Sequence, residues 1–342
     1  MEVLTTKLRF ELFEADENIH GYFDYPSDES WEKILEQFNN SHEKYQSGYY
    51  TEEIFISECK AILKKEPEFL DAYAQIGNIY LNAKNFSDAS RWYKRGLSIA
   101  LPLIAENFSG QIHWGNDDNR PFLRLHHGSI LCAIRLGRMK VAIEQMEQHL
   151  LWNPHDNIGI RYLLGDVYLT IGTNDKAKEI FMAYGSEYPP YQYSLGLLEF
   201  KCGNYIKAAT ALRIGFAGNS YIAEALTGRV SLRKHSYWHS TSDMYPETAL
   251  SYLELLGAKN WAAVEEATDF LDWLFNCADV LNERADITAP REALLYENDI
   301  KIRIPLLSSM EQLLAGINDN LSEMLIRKVR DRNGNFRWPW QM

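Results

Sequence analysis

The stretch from Tyr162 to Pro189, YLLGDVYLTIGTNDKAKEIFMAYGSEYP, decides the fold. Its apolar residues recur with a period near 3.6, the pattern of a helix that buries one face. Gly165 and Gly172 interrupt that rhythm, although an interior glycine costs a helix about 1 kcal/mol relative to alanine. A helix keeps such a residue where another chain segment must approach closely, or where the helix ends.

The arrangement recurs along the chain. One copy reads Tyr73, Gly77, Tyr80, Phe86, Ala89, Tyr93, Gly96, Pro102, and another Leu195, Gly196, Gly203, Tyr205, Ala208, Leu212, Gly215. A weaker one carries Gly137, Ala142, Met146 and Pro154, with Ile130 at the crossing point and Gly128 nearby. This spacing resembles the tetratricopeptide repeat, a helix–turn–helix unit of about 34 residues. The resemblance runs over residues 68–222, with a degenerate copy at 45–67. It implies an all-α fold: a right-handed α-solenoid of helix pairs, followed by a helical C-terminal region. Within each pair, Gly77, Gly165 and Gly196 are expected to let helix A approach helix B, opposite Ala89, Ala177 and Ala208. Gly137, Gly172 and Gly203 are expected as left-handed C-caps. Close approach predicts that Gly165→Leu is severe and Gly165→Ala mild or even stabilising, since alanine is the better helix former.

Composition limits the function. Hydrophobic residues make up 46%, with 20 Tyr, 15 Phe and 9 Trp, enough for a large core. A net charge of −12 weighs against a phosphate-neutralising surface. Cys59, Cys132, Cys202 and Cys277 form no CxxC pair, which reads as reduced thiols rather than a disulfide frame or zinc site. The N-terminus lacks an apolar run of signal-peptide type, and no window suggests a membrane span. A cytoplasmic protein without cofactor or metal is the resulting expectation.

The expected organisation is an N-terminal segment (1–28), a repeat array (29–228) with an excursion at 103–121, and a helical cap with a basic, aromatic tail (229–342). NRPFLR (119–124) and NPHDN (153–157) are similar to stretches in bacterial repeat proteins and imply no activity. In the C-terminal region Val264, Ala267, Leu271, Leu274, Ala278 and Leu281 suggest one long amphipathic helix, and residues 301–329 a second, broken near Pro305.

Candidate chemistry is sparse. Glu265, Asp269, Asp272 and Asp279 share a face of the expected long helix and could bind a cation or act as acid and base; a solvated polar face explains them more simply. His235 and His239 are four apart but sit in turn-like sequence with no acidic partner of the HExxH kind. The tail from Arg327 to Met342 carries a net charge of +4, and residues 1–30 a net of −6. Exposed pairs contribute only about 0–1 kcal/mol each. Docking of the tail on the body therefore needs Phe336, Trp338 and Trp340 as apolar anchors, with Pro339 holding an extended segment.

The resemblance implies an interaction protein that takes a peptide or partner helix in a concave groove lined by the A helices. The register places Gln75, Asn78, Arg124, His127, Arg135, Tyr162, Asp166, Tyr193, Leu197 and Lys201 in that groove. Asn78 matches one position of the carboxylate clamp that holds chaperone C-termini, but Ala74 stands where that clamp needs lysine. Another protein or peptide is the expected partner, not nucleic acid or membrane. The rival reading is an enzyme on an α/α scaffold using Glu265, Asp269 and Asp272.

Overall fold

The computed structural model describes residues 8–15, 17–229 and 232–342. Glu2, Lys7 and Asp16, counted in the N-terminal charge, lie outside the described residues. The chain divides into two compact units, 1–161 and 162–342.

The first unit opens with an antiparallel hairpin of β1 (Arg9–Ala15) and β2 (Asn18–Asp24). Helix hairpins follow: α1 (Glu29–Gln46) with α2 (Glu52–Lys65), α3 (Leu70–Asn82) with α4 (Phe86–Ala100), and α5 (Arg120–Arg135) with α6 (Met139–Trp152). Asp28 and Thr51 cap α1 and α2 by accepting from Trp31 and Ile54 backbone N–H groups, satisfying donors that a helix start leaves free. The degenerate copy at 45–67 is thus the turn and second helix of a hairpin. Between α4 and α5, the excursion braces β2. Gln111 N–H donates to Ile19 O at 2.9 Å, and Gly21 N–H donates to Gln111 O at 2.8 Å. Asn119, fully buried, accepts from Phe23 N–H and donates to Gly21 O.

The second unit carries two more hairpins, α7 (Arg161–Thr170) with α8 (Asn174–Tyr184) and α9 (Pro190–Lys201) with α10 (Tyr205–Gly218). The C-terminal region is helical: α11 (Ser220–Leu226), α12 (Pro246–Tyr252), α13 (Ala258–Ala262), α14 (Ala267–Asn276), α15 (Ala278–Tyr296), α16 (Ile300–Ala315) and α17 (Asp319–Leu325). A short hairpin of β3 (Val329–Arg330) and β4 (Phe336–Arg337) precedes the terminal turn.

The glycines explain the hairpins. A Cβ on Gly165 would lie 2.5 Å from a ring carbon of Phe181, and one on Gly77 would lie 2.5 Å from the Tyr93 ring. The close neighbour is therefore one helical turn beyond the expected Ala177 and Ala89, which are themselves buried. In the weaker copy Gly128 meets the same Tyr93 ring, at 2.2 Å, but this is the contact of α5 with α4 of the preceding hairpin, not with its own partner α6. Gly137, Gly172 and Gly203 have φ of +73°, +80° and +77°, the left-handed conformation that closes a helix.

Two expectations about the C-terminal region fail. The stripe from Val264 to Leu281 is not one helix: Glu266 takes φ +60° and Cys277 is extended, so the chain turns twice. Alternating three- and four-residue spacing persists across such breaks, so periodicity alone does not reveal them. Helix α16 continues through Pro305. That residue and Lys301, whose carbonyl it leaves without a helical donor, are both exposed, so the lost bond falls on the solvent-facing side of the helix.

The tail folds back onto its own unit. Trp340 is 7% exposed and packs on Phe270 at 4.8 Å and Trp273 at 5.6 Å. Its indole N–H donates to Glu266, which also accepts from Gln341. Trp338 stacks on Trp340 at 5.2 Å across a 3₁₀ turn at Pro339–Gln341, not in an extended segment. Phe336 is 62% exposed and is no anchor.

Candidate partner-binding cleft

In the first unit a cleft of about 360 Å³ opens where the start of α3, the start of α5, α1 and Tyr25 meet. Its floor is aromatic. Tyr25 stacks on Trp31 at 5.1 Å, and Trp31 lies against Phe69 at 5.2 Å. Sequence places these rings because α1 must bury Trp31, Ile34 and Phe38 along one face against α2 and the α3 entry. Leu35 and Asn39, on the neighbouring face, are left at the rim.

The wall is charged. Arg124 donates to Asp71 at 2.9 Å, and Arg120 pairs with Asp117 at 2.8 Å. Both guanidinium groups also lie 5.6 Å from the Trp114 ring, which the excursion supplies. Burial pushes the Asp71 carboxyl above its usual range, against the pull of Arg124. Burial, with Asp117 and Asp24 adding, also raises Asp118. Among the described residues Asp118 has no cation within ion-pairing distance, so the cleft holds one spare negative charge. The Tyr25 hydroxyl is buried without a hydrogen-bond partner among the described residues, and burial holds its pKa well above the ordinary value.

Of the residues expected to line a groove in this unit, Arg124 is in the cleft. Asn78 accepts from the Tyr93 hydroxyl at 2.7 Å and so serves the α3–α4 contact. Gln75 is half-buried, and Arg135 lies against Phe86. His127 is half-buried next to a buried pair, His126 and His149, whose Nδ1 atoms are 3.1 Å apart. Burial lowers His126 to about 3 and His149 to about 4. Burial, with His149 adding, lowers His127 to about 4.

In the second unit the expectation needs correcting. Tyr193 and Leu197 are fully or almost fully buried; the Tyr193 hydroxyl donates to Asn219 O at 2.6 Å. Asp166 is buried and accepts from Ser194 at 2.5 Å, and burial pushes it up to about 7. These three cannot present a surface, because helices α11–α14 cover the face that a bare hairpin would expose. Tyr162 is half-buried and donates to Glu187, while Lys201 is exposed at the end of α9. Sequence reasoning missed Tyr25, Trp31, Phe69 and Asp118. The aromatic residues Tyr25, Trp31 and Phe69 were the available signal, but Phe69 lies far from the other two in sequence and none falls on a repeat position.

The rival acidic site does not assemble. Glu265 lies in the turn before α14, Asp269 and Asp272 are exposed on α14, and Asp279 belongs to α15. His235 instead faces Glu224 at 3.2 Å, and His239 contacts the Tyr221 hydroxyl at 3.0 Å. No cluster of His, Cys, Asp or Glu among the described residues could hold a metal ion.

The fold is that of an all-α helical-repeat protein. The tetratricopeptide-repeat family model matches residues 70–101 and 158–184, which are α3–α4 and α7–α8. This chain carries tetratricopeptide repeats, and proteins built on them generally act as interaction scaffolds. No curated protein matches it in sequence. Among solved structures, the crystal structure of the MamA protein aligns at 17% identity and a TM-score of 0.44, covering 59% of this chain and 99% of that one. Such a likeness is too slight to bear on function. Among the described residues no helix is long and apolar enough to cross a membrane.

Proposed function

We propose that the protein is an interaction scaffold that binds an extended peptide segment of a partner protein in the cleft of its first unit. The segment pairs an apolar side chain with a lysine or arginine. The observation that carries this reading is a cleft lined by Tyr25, Trp31 and Phe69 with exposed Leu35 at its rim and the uncompensated Asp118 carboxylate beside it. An apolar side chain can pack on exposed Leu35 and half-buried Tyr25, and a cation meets Asp118. Exposed Leu35 at the rim extends the apolar surface.

Peptide display against the full chain tests the proposal. Selected peptides should place Lys or Arg next to an aromatic or aliphatic residue, and Leu35→Asp should abolish their binding. Asp118→Asn should weaken it about twofold to fivefold, as expected for loss of one exposed charge contact. Enrichment of acidic peptides, or binding indifferent to both substitutions, would refute it.

A further inference from the structure

The second unit contains a separate cleft of about 440 Å³ between the end of α10, the 235–237 loop and α15. Arg284, Thr288 and Arg291 follow one another on one face of α15 at spacings of four and three. Arg291 is 6% exposed. One of its terminal nitrogens donates to Ala217 O at 2.7 Å, and its Nε is buried without a partner among the described residues. Arg284 lies 3.6 Å over the Phe275 ring and donates to Phe275 O at 3.0 Å.

Neither guanidinium has a carboxylate within ion-pairing distance among the described residues. Glu224, whose field reaches Arg284, is engaged by His235 at 3.2 Å and Arg229 at 3.3 Å. Glu292, at the rim, is exposed and pairs with neither. Arg213 in the same unit shows the contrast. It is equally buried, but Glu283 takes its charge in a two-point contact. Burial works against the charged form of both Arg284 and Arg291. A buried guanidinium is normally retained only with a partner, because desolvating a lone charge is expensive.

The planar fork of arginine matches carboxylate and phosphate oxygens in paired hydrogen bonds. The cleft has the volume of a small-molecule site, with apolar wall at Leu281 and Ala285 and a hydroxyl from Ser236. We propose that this cleft binds a small organic oxyanion, a carboxylate or phosphate monoester on an apolar body, gripped by Arg284 and Arg291. This site is independent of the peptide cleft.

Calorimetric titration of the full chain with phenyl phosphate, benzoate and the neutral benzyl alcohol tests it. At least one anion should bind below about 1 mM, benzyl alcohol should not, and added salt should weaken the anion. The preferred anion distinguishes phosphate from carboxylate. Arg291→Gln and Arg284→Gln should each weaken binding about tenfold or more, as loss of a charge-assisted hydrogen bond implies. Arg284 is half-buried, so its variant reports even if the Arg291 variant fails to fold. Absence of binding by both anions at about 10 mM, or binding unchanged in the Arg284 variant, overturns the proposal.

Discussion

Gly165→Ala separates intrinsic helix preference from packing. On an unconstrained helix the substitution stabilises by about 1 kcal/mol. Here the added Cβ meets Phe181 ring carbons at 2.5 and 2.8 Å and Ile180 at 3.1 Å. Carbon atoms ordinarily rest 3.5–4.0 Å apart, so α7 and α8 must separate by about 1 Å or the ring must turn. The ring has little room, because Phe181 is fully buried and lies edge-to-face with Tyr191 at 4.8 Å. Tyr191 in turn accepts the Gly165 N–H at 3.2 Å, so displacement loosens that bond as well. Overpacking costs about 1–3 kcal/mol, which outweighs the propensity gain and leaves a net destabilisation of about 1 kcal/mol. Gly165→Leu should cost more. Urea unfolding followed by far-UV circular dichroism gives the net effect, and hydrogen exchange of α7 and α8 amides assigns it to this hairpin. A cycle with Phe181→Ala should show a coupling of about 1 kcal/mol or more, because removing the ring removes the clash. A Gly165→Ala protein more stable than wild type, with additive effects in the cycle, would refute the close-approach argument.

Stability should depend on pH in two opposite ways. Burial raises Asp166 to about 7, so the folded state holds a proton that the unfolded chain releases near pH 4. Its contribution is full below that value and is lost as pH rises through 7; Asp166→Asn should therefore raise the melting temperature at pH 8 and little at pH 4. The buried His126–His149 pair has the reverse sign, with both groups held below the ordinary histidine range. Stability is full above about pH 6.5 and falls toward pH 4, a loss that His126→Phe should reduce in acid melting curves. Trp340→Ala should cost about 3 kcal/mol and shift tryptophan emission to the red; unchanged stability would mean that the tail does not hold α14 in place.

What the sequence determined by itself is the hairpin. A helix rhythm, a glycine at the crossing and a glycine at the turn are local features, and each is dictated within one repeat. Gly165 facing α8 and Gly172 closing α7 follow from that short range, and so does burial of Ala177. The tertiary structure decided which faces stay open. Tyr193, Asp166 and Leu197 have the register of a lined groove, yet α9 is buried on nearly every side in the second unit. The covering helices lie far along the chain, and no periodicity within α9 announces them. The β1–β2 hairpin and its brace at Gln111 join residues about ninety positions apart, so the excursion's role as a support also came from tertiary contacts. The same holds for the two candidate clefts. Asp118, Arg284 and Arg291 are ordinary charged residues in sequence; only the arrangement around them leaves these groups, among the described residues, without an opposite charge. Local order is encoded by short-range sterics and hydrophobic period. A site depends on which charges remain unpaired once distant elements have packed.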